Sequence, residues 1–236
     1  MNKILSIAKK ELMASFKSPT AYIVLILTIS LFNIFFFMII DEGREASLRD
    51  IFKVMEFMFV FIIPLLTMKI FSEEKLTGTM EFLMTTPTTN TAIVLGKYLG
   101  SLAFFTLMVG ITVVYYFIIE YFGQPDQLTV LTGYAGIWLE GAFFLSVGML
   151  ISSWTRNQIV AAIGSYVILF LLYFSISFIR YFDGVAEVLI RYISTSTHCE
   201  NFAVGIIASA DIVYYVSGIV LCIVLTRLSI ENRLWR

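Results

Sequence analysis

The chain has 236 residues, of which 59% are hydrophobic, 16% aromatic and only 14% charged. A soluble domain carries roughly a quarter charged residues, so the composition reads as an integral membrane protein and excludes a soluble domain on a single anchor. The net charge of −1 comes without a basic patch, so nucleic acid is not expected as a partner, and two cysteines, Cys199 and Cys222, are too few for a disulfide framework.

The first segment, residues 1–19, reads MNKILSIAKKELMASFKSP. It is positively charged, but no small-residue cleavage site follows its apolar run, so it does not read as a cleaved signal. Ile4, Ala8 and Leu12 share one helical face, with Leu5 and Phe16 close by, among Lys3, Lys9, Lys10 and Lys17. This predicts an amphipathic helix lying along the membrane interface; a basic anchor that only sets topology is the equal alternative. Ser18-Pro19 breaks the helix, since the residue before a proline avoids the helical region.

Six spans of about 20 apolar residues follow. They are expected near 21–40, 54–70 (with Pro64 as a kink), 98–119, 133–154, 159–179 and 212–226. Between the second and third lies a polar stretch, residues 69–97, KIFSEEKLTGTMEFLMTTPTTNTAIVLGK. Ser72 is expected as an N-cap, with Glu73 and Glu74 in the first turn, where carboxylates favour a helix N-terminus. Gly78 ends that turn, Thr79 and Glu81 start a second short helix over 79–84, and Thr86-Pro87 closes it. Thr89 or Asn90 caps the helix that carries Gly96 and Lys97 into the third span. Met80, Phe82, Leu83 and Met84 are apolar and need something to cover them.

Residues 181–211 are too polar to span and too apolar for a free loop. They read as one or two short helices dipping into the outer leaflet, where irregular backbone must be covered by protein. Lys and Arg concentrate at the N-terminus, in residues 69–97, at Arg156 and at Arg227, Arg233 and Arg236. This bias places both termini and the 69–97 loop in the cytoplasm, within reach of a soluble partner.

Chemistry is sparse. His198 is the single histidine, which excludes paired axial haem ligands and an H-E-x-x-H zinc site. No G-x-x-x-x-G-K-[ST] run is present, so the chain does not bind ATP through a P-loop of its own. No catalytic, cofactor-binding or metal-binding residue is expected. Glu140 lies in the fourth span, about 10 Å from its outer end at the helical rise. It lines a substrate path, pairs with an arginine of the outer segment, or makes an interhelical hydrogen bond. Lys53 and Glu56, at i and i+3, suggest a local ion pair at the outer end of the second span. Small residues at four-residue spacing permit close helix packing: Gly96 with Gly100, Gly148 with Ser152, Ala161 with Ser165.

Several stretches occur in an order and spacing that resemble the membrane permease subunit of ABC-2-type ABC transporters, and most closely the short permeases of the gliding-motility (GldF-like) and NosY-like group. They are Lys10-Glu11-Leu12, Phe16 and Ser18-Pro19; Glu73-Glu74-Lys75, Gly78-Thr79, Glu81, Leu83 and Thr86-Pro87; Leu95-Gly96-Lys97; Gly123, Pro125-Asp126 and Gly133-Tyr134; and Ser152-Ser153, Thr155 and Asn157-Gln158. The match covers most of residues 9–165; beyond about 180 it lies in layout more than in letters. The resemblance implies an all-α, polytopic, single transmembrane domain over 1–236, in the cytoplasmic (inner) membrane, that pairs with a second permease as a homo- or heterodimer. It implies a separate ATP-binding cassette subunit that holds ATP and Mg and drives movement of a substrate. Residues 1–19 would be the interfacial helix, 69–97 the cytoplasmic coupling segment and 181–211 the outer re-entrant segment. Glu73, Glu74, Lys75, Gly78, Thr79 and Glu81 would dock on the ATPase; otherwise they form a capped solvated loop. Two other readings stay open. An ATP-independent secondary transporter would want internal repeats, and no convincing one relates 1–118 to 119–236. A scaffold subunit of an envelope complex would use the same docking loop.

Overall fold

A computed structural model of the chain describes residues 2–41, 47–80 and 88–231. Among them every regular element is helical. In chain order these are α1 (Asn2–Lys17), α2 (Pro19–Asp41), α3 (Arg49–Thr67), α4 (Ser72–Leu76), α5 (Asn90–Ile111), α6 (Val114–Phe122), α7 (Gln127–Ser152), α8 (Gln158–Phe174), a 3-10 segment (Ser175–Tyr181), α9 (Val185–Ile193), α10 (Thr195–Ala203) and α11 (Ser209–Glu231). Six stretches among the described residues are long and apolar enough to cross a membrane: Pro19–Asp41, Arg49–Leu76, Asn90–Phe122, Gln127–Ser152, Gln158–Tyr181 and Ser209–Glu231. With six crossings, α1 and the end of α11 share one face of the bundle, called the base here. The opposite end, with α9 and α10, is the cap.

The bundle is built around α7. In its apolar window 83% of residues are buried, against 17–22% for α2, α11 and the Gln158–Tyr181 stretch. It packs on α3, α11, α10, α8 and α5. Glycines let the neighbours in: a methyl at Gly133 would collide with Phe52, at Gly141 with Phe105 and at Gly148 with Thr67. The outer helices turn apolar side chains outward, among them Ile26, Phe37, Ile163, Phe170, Val213 and Leu221. A surface of that size is stable against lipid and not against water; the protein is a polytopic membrane protein.

Several boundaries differ from the sequence expectation. The third crossing is not one helix: Thr112 and Val113 make i→i+3 bonds to Val109 and Gly110. The Thr112 hydroxyl also donates to the Val109 carbonyl at 2.6 Å, and the Thr112 carbonyl accepts from the Tyr115 N–H at 2.9 Å and from the Tyr134 hydroxyl at 2.8 Å. A hydroxyl competing for backbone groups tightens the turn. Helix α7 starts at Gln127, capped by Asp126, six residues before the expected start. Glu140 therefore lies about 20 Å along the helix, not about 10 Å. Helix α3 runs through Pro64 to Thr67.

The cap holds two short helices, α9 and α10. His198 ties it together: Nε2 donates to the Tyr192 carbonyl at 3.0 Å, Nδ1 meets Asp211 Oδ1 at 2.6 Å, and the ring stacks on Tyr214 at 4.1 Å. Asn201 Nδ2 donates to the other Asp211 oxygen at 2.8 Å. At the far end of α10, Thr132 and Arg49 donate to the Phe202 and Ala203 carbonyls, filling acceptors that a helix C-terminus leaves open. The expected Lys53–Glu56 ion pair does not form. Lys53 is exposed, while Glu56 is buried and faces the bundle interior: the boundary of the helix's buried face falls between the two neighbours, and the lysine keeps its charge in water rather than following the carboxylate inward.

Candidate functional site: the base of the bundle

Helix α4 is only five residues long, and too short to stand alone. Its position is set by other elements. The Ser152 hydroxyl, at the end of α7, accepts from the backbone N–H groups of Phe71 and Ser72 at 3.1 and 3.2 Å and donates to the Met68 carbonyl at 3.1 Å. Ser72 was expected to cap α4, but its own hydroxyl turns back to the Met68 carbonyl, and Phe71 occupies the cap position without a side-chain bond. The capping is thus done from α7. Lys75 reaches the Ser153 carbonyl, which also accepts from Ser229 on α11 at 3.3 Å.

The centre of the base is Lys97, on the first turns of α5. Its ammonium, 4% exposed, donates to the Ile70 carbonyl at 2.9 Å, pairs with Glu74 at 2.8 Å and with Glu11 at 3.2 Å, and lies 5.4 Å from the centre of the Phe71 ring. One buried cation thus joins α1, the turn after α3, α4 and α5. Two carboxylates and a carbonyl fill its donor capacity, as a buried charge requires.

The helix α1 reaches Lys97 because α5 is narrow where they cross. A methyl at Gly96 would stand 2.6 Å from Ile7 Cβ, and one at Gly100 would stand 2.6 Å from Glu11 Cβ. The paired glycines thus serve the α1–α5 contact. The face of α1 turned to α5 carries Ile7, Ala8 and Glu11, whereas Leu5 and Met13 remain exposed. Phe16 meets Phe104 edge-on at 5.6 Å. A cavity of 340 Å³ lies between α1, α2, α4 and α5, lined by Lys10, Glu11, Lys69, Glu73, Glu74 and Lys97.

The expected docking residues divide into two groups. Glu73, Gly78 and Thr79 are exposed, together with Leu76 and Thr77. Gly78 has φ +72°, a left-handed conformation that ends α4 as expected. Glu74 and Lys75 turn inward and hold the segment to α5 and α7. Glu81, and with it Phe82, Leu83, Met84 and Thr86-Pro87, lies outside the described residues. Met80 is buried. Thr89, rather than Asn90, caps α5, accepting from Ala92 N–H at 3.2 Å. Glu140 is far from this site. It is fully buried, and neither carboxylate oxygen has a hydrogen-bond partner. The anticipated arginine pair does not form among the described residues; the Thr195 hydroxyl and the Cys199 thiol of α10 stand beside the carboxylate instead.

Sequence reasoning singled out neither Glu11 nor Lys97 as a site residue, nor Ser152 as a cap. The signal was present in the quoted stretches: Lys10-Glu11-Leu12, Glu73-Glu74-Lys75, Leu95-Gly96-Lys97 and Ser152-Ser153 are four remote pieces of chain that meet here. A family model described as ABC-2 family transporter protein matches residues 5–189, a stretch that includes all four. No curated protein matches the chain.

Proposed function

The chain belongs to the ABC-2 family of transporter proteins, and we propose that it is the membrane-spanning permease subunit of an ATP-driven transporter, docking through the base on a separate ATP-binding subunit. The observation that carries this reading is the Lys97 junction. A short segment, Glu73 to Thr79, exposed at Glu73 and over 76–79, is bolted by one buried cation to α1 and α5, and by Ser152 and Lys75 to the central helix α7. A push on the exposed residues is delivered to the helix that most of the bundle packs on. Closure of the partner around ATP would then bias the bundle between two arrangements, a two-state element driven by a ligand on another chain.

In this reading the base faces the cytoplasm, as the lysine and arginine bias indicates, and the membrane is the inner membrane. Glu73, Leu76 and Gly78-Thr79 offer the contact surface, with Glu81 continuing it, while Glu74 and Lys75 transmit. Helix α1 is the interfacial helix and 181–211 the outer re-entrant segment. ATP and Mg are held by the partner, and a second permease completes the pathway. The order of the short motifs supports the gliding-motility and NosY-like group as its subgroup.

The test is co-purification from native membranes in mild detergent, followed by an ATPase assay. An ATP-binding protein should come down with the chain, and the exposed-face variant E73A/L76A/T79A should shed it or lose coupled hydrolysis while the bundle stays folded. If nothing that hydrolyses ATP accompanies the chain, the reading is overturned.

A further inference from the structure

Beneath the cap, towards the middle of the bundle, three ligand-type side chains from three elements converge. Glu56 comes from α3, Glu140 from α7 and Cys199 from α10, and their ligand atoms all lie within 4.8 Å of one another. All three residues are buried, Glu140 completely. Glu56 Oε1 and both oxygens of Glu140 have no hydrogen-bond partner. The hydroxyl of Thr195, also completely buried and also without a partner, stands beside the Glu140 carboxylate from the first turn of α10. Four polar groups therefore crowd one point inside a membrane protein, and three carboxylate oxygens there, Glu56 Oε1 and both of Glu140, lack a well-formed hydrogen bond.

Such an arrangement is costly as it stands. Two carboxylates without a counter-charge repel, and unpaired buried polar atoms each lose their hydration without compensation. Ionisable groups within membrane helices persist where they pair or serve a site. The two carboxylates bring three unpaired oxygens, and Cys199 a soft sulfur, to one point, a donor set that a cation satisfies together.

We propose that Glu56, Glu140 and Cys199 bind a divalent transition-metal ion of the zinc class, with the Thr195 hydroxyl as fourth ligand, and that the ion fastens the cap helix α10 to α3 and α7. The donor set decides the class. A thiolate beside two carboxylates suits a borderline ion and disfavours magnesium and calcium, which take oxygen alone. Metal–ligand bonds of about 2.0–2.3 Å put tetrahedral ligand atoms roughly 3.3–3.5 Å apart, which small rotamer adjustments reach from the present spacing. On binding, the thiol proton leaves to solvent and the ion's two positive charges offset two of the three ligand charges. The third is left uncompensated, since the Lys53 charge that bears on Glu56 is countered by that of Glu200. The single histidine takes no part, being committed to Asp211 and Tyr192. The spacing of the ligands in the chain, 84 and 59 residues apart, hides the site from any motif search.

The experiment uses the full chain in detergent with its affinity tag removed, equilibrated with zinc ions alone, desalted, and assayed for metal by mass spectrometry. The expected result is one zinc per chain, lost in Glu140→Gln and at least about tenfold weaker in Cys199→Ser. Zinc should raise the thermal midpoint of the wild type and leave that of Glu140→Gln unchanged. If the variants fold poorly, cobalt on the wild type decides: a near-ultraviolet thiolate-to-cobalt band with tetrahedral visible bands supports the site. A folded wild type with no cobalt–thiolate band, or with no more zinc than Glu140→Gln, overturns the proposal and leaves the two carboxylates sharing a proton. None of these readouts involves a partner ATPase, so the metal site and the transport reading stand or fall separately.

Discussion

At the scale of single residues, Lys97 is the side chain on which the base depends. Removing a buried charge is costly mainly because its partners are left behind. Glu11 and Glu74 are 22% and 24% exposed, and the water they keep puts the cost at the low end. Lys97→Met should destabilise the protein by about 3 kcal/mol, read as a fall in the thermal midpoint in detergent. Glu74→Gln alone should cost less, because Lys97 keeps Glu11 and the Ile70 carbonyl. The double variant should reveal a coupling of about 1–3 kcal/mol. Additive single effects would mean that the 2.8 Å pair carries no interaction energy. Ser152 acts by a different route: it satisfies two N–H groups and one carbonyl at once, so its value lies in leaving no buried backbone group unpaired.

At the scale of elements, α1 is held by shape as much as by charge. Gly96 and Gly100 let its backbone approach α5 so closely that the Ala8 carbonyl would stand 2.7 Å from a methyl at Gly100. Gly100→Leu cannot be absorbed by a rotamer change, since backbone blocks it, and overpacking of this kind costs about 1–3 kcal/mol. We expect α1 to lift off, with faster hydrogen exchange over residues 2–17 and little change in α7. Gly110, which has open space around its α-carbon, is the matching control. Equal protection of α1 in Gly100→Leu and Gly110→Leu would show that the close crossing does not hold it. The short helix α4 is the complementary case: its five residues have almost no stability of their own, and their place is imposed by α5 and α7.

At the scale of the whole molecule, the arrangement separates two ends with different chemistry. The base carries an ion-paired, hydrogen-bonded junction open to water, and the cap carries the His198–Asp211 lock above three buried acceptors. In intact cells, single cysteines placed at Thr77 and at Tyr181, both exposed, should react with a membrane-impermeant maleimide at Tyr181→Cys only. Thr77→Cys should react only once the membrane is opened. The native Cys199 and Cys222 are buried and should stay silent. Labelling of Thr77→Cys from outside would invert the orientation and remove the base from the reach of a cytoplasmic ATPase.

Much of this was legible in the chain itself. Six apolar stretches, the break at Ser18-Pro19, the turn at Gly78, a cap at Thr89 or Asn90 and the short helices of 181–211 all follow from local composition and backbone preference, which act within a few residues and so leave a local trace. The spread-out motifs were enough to suggest the family. Span ends were less legible, because α7 and α11 extend into polar residues that composition assigns to loops and that Asp126 and Asp211 hold in place. What the chain alone could not reveal was which residues meet. Lys53 and Glu56 read as a pair until packing turned them apart, and Glu11, Glu74 and Lys97 read as unrelated charges until folding brought them within 3.2 Å of one nitrogen. The same is true of Glu56, Glu140 and Cys199. Sequence by itself determined the membrane class, the helices and their turns, since hydrophobicity and dihedral preference belong to short stretches of chain. Tertiary structure alone decided the Lys97 junction and the cluster of buried acceptors, since charge pairing and ligand geometry depend on distances that only the packed helices set.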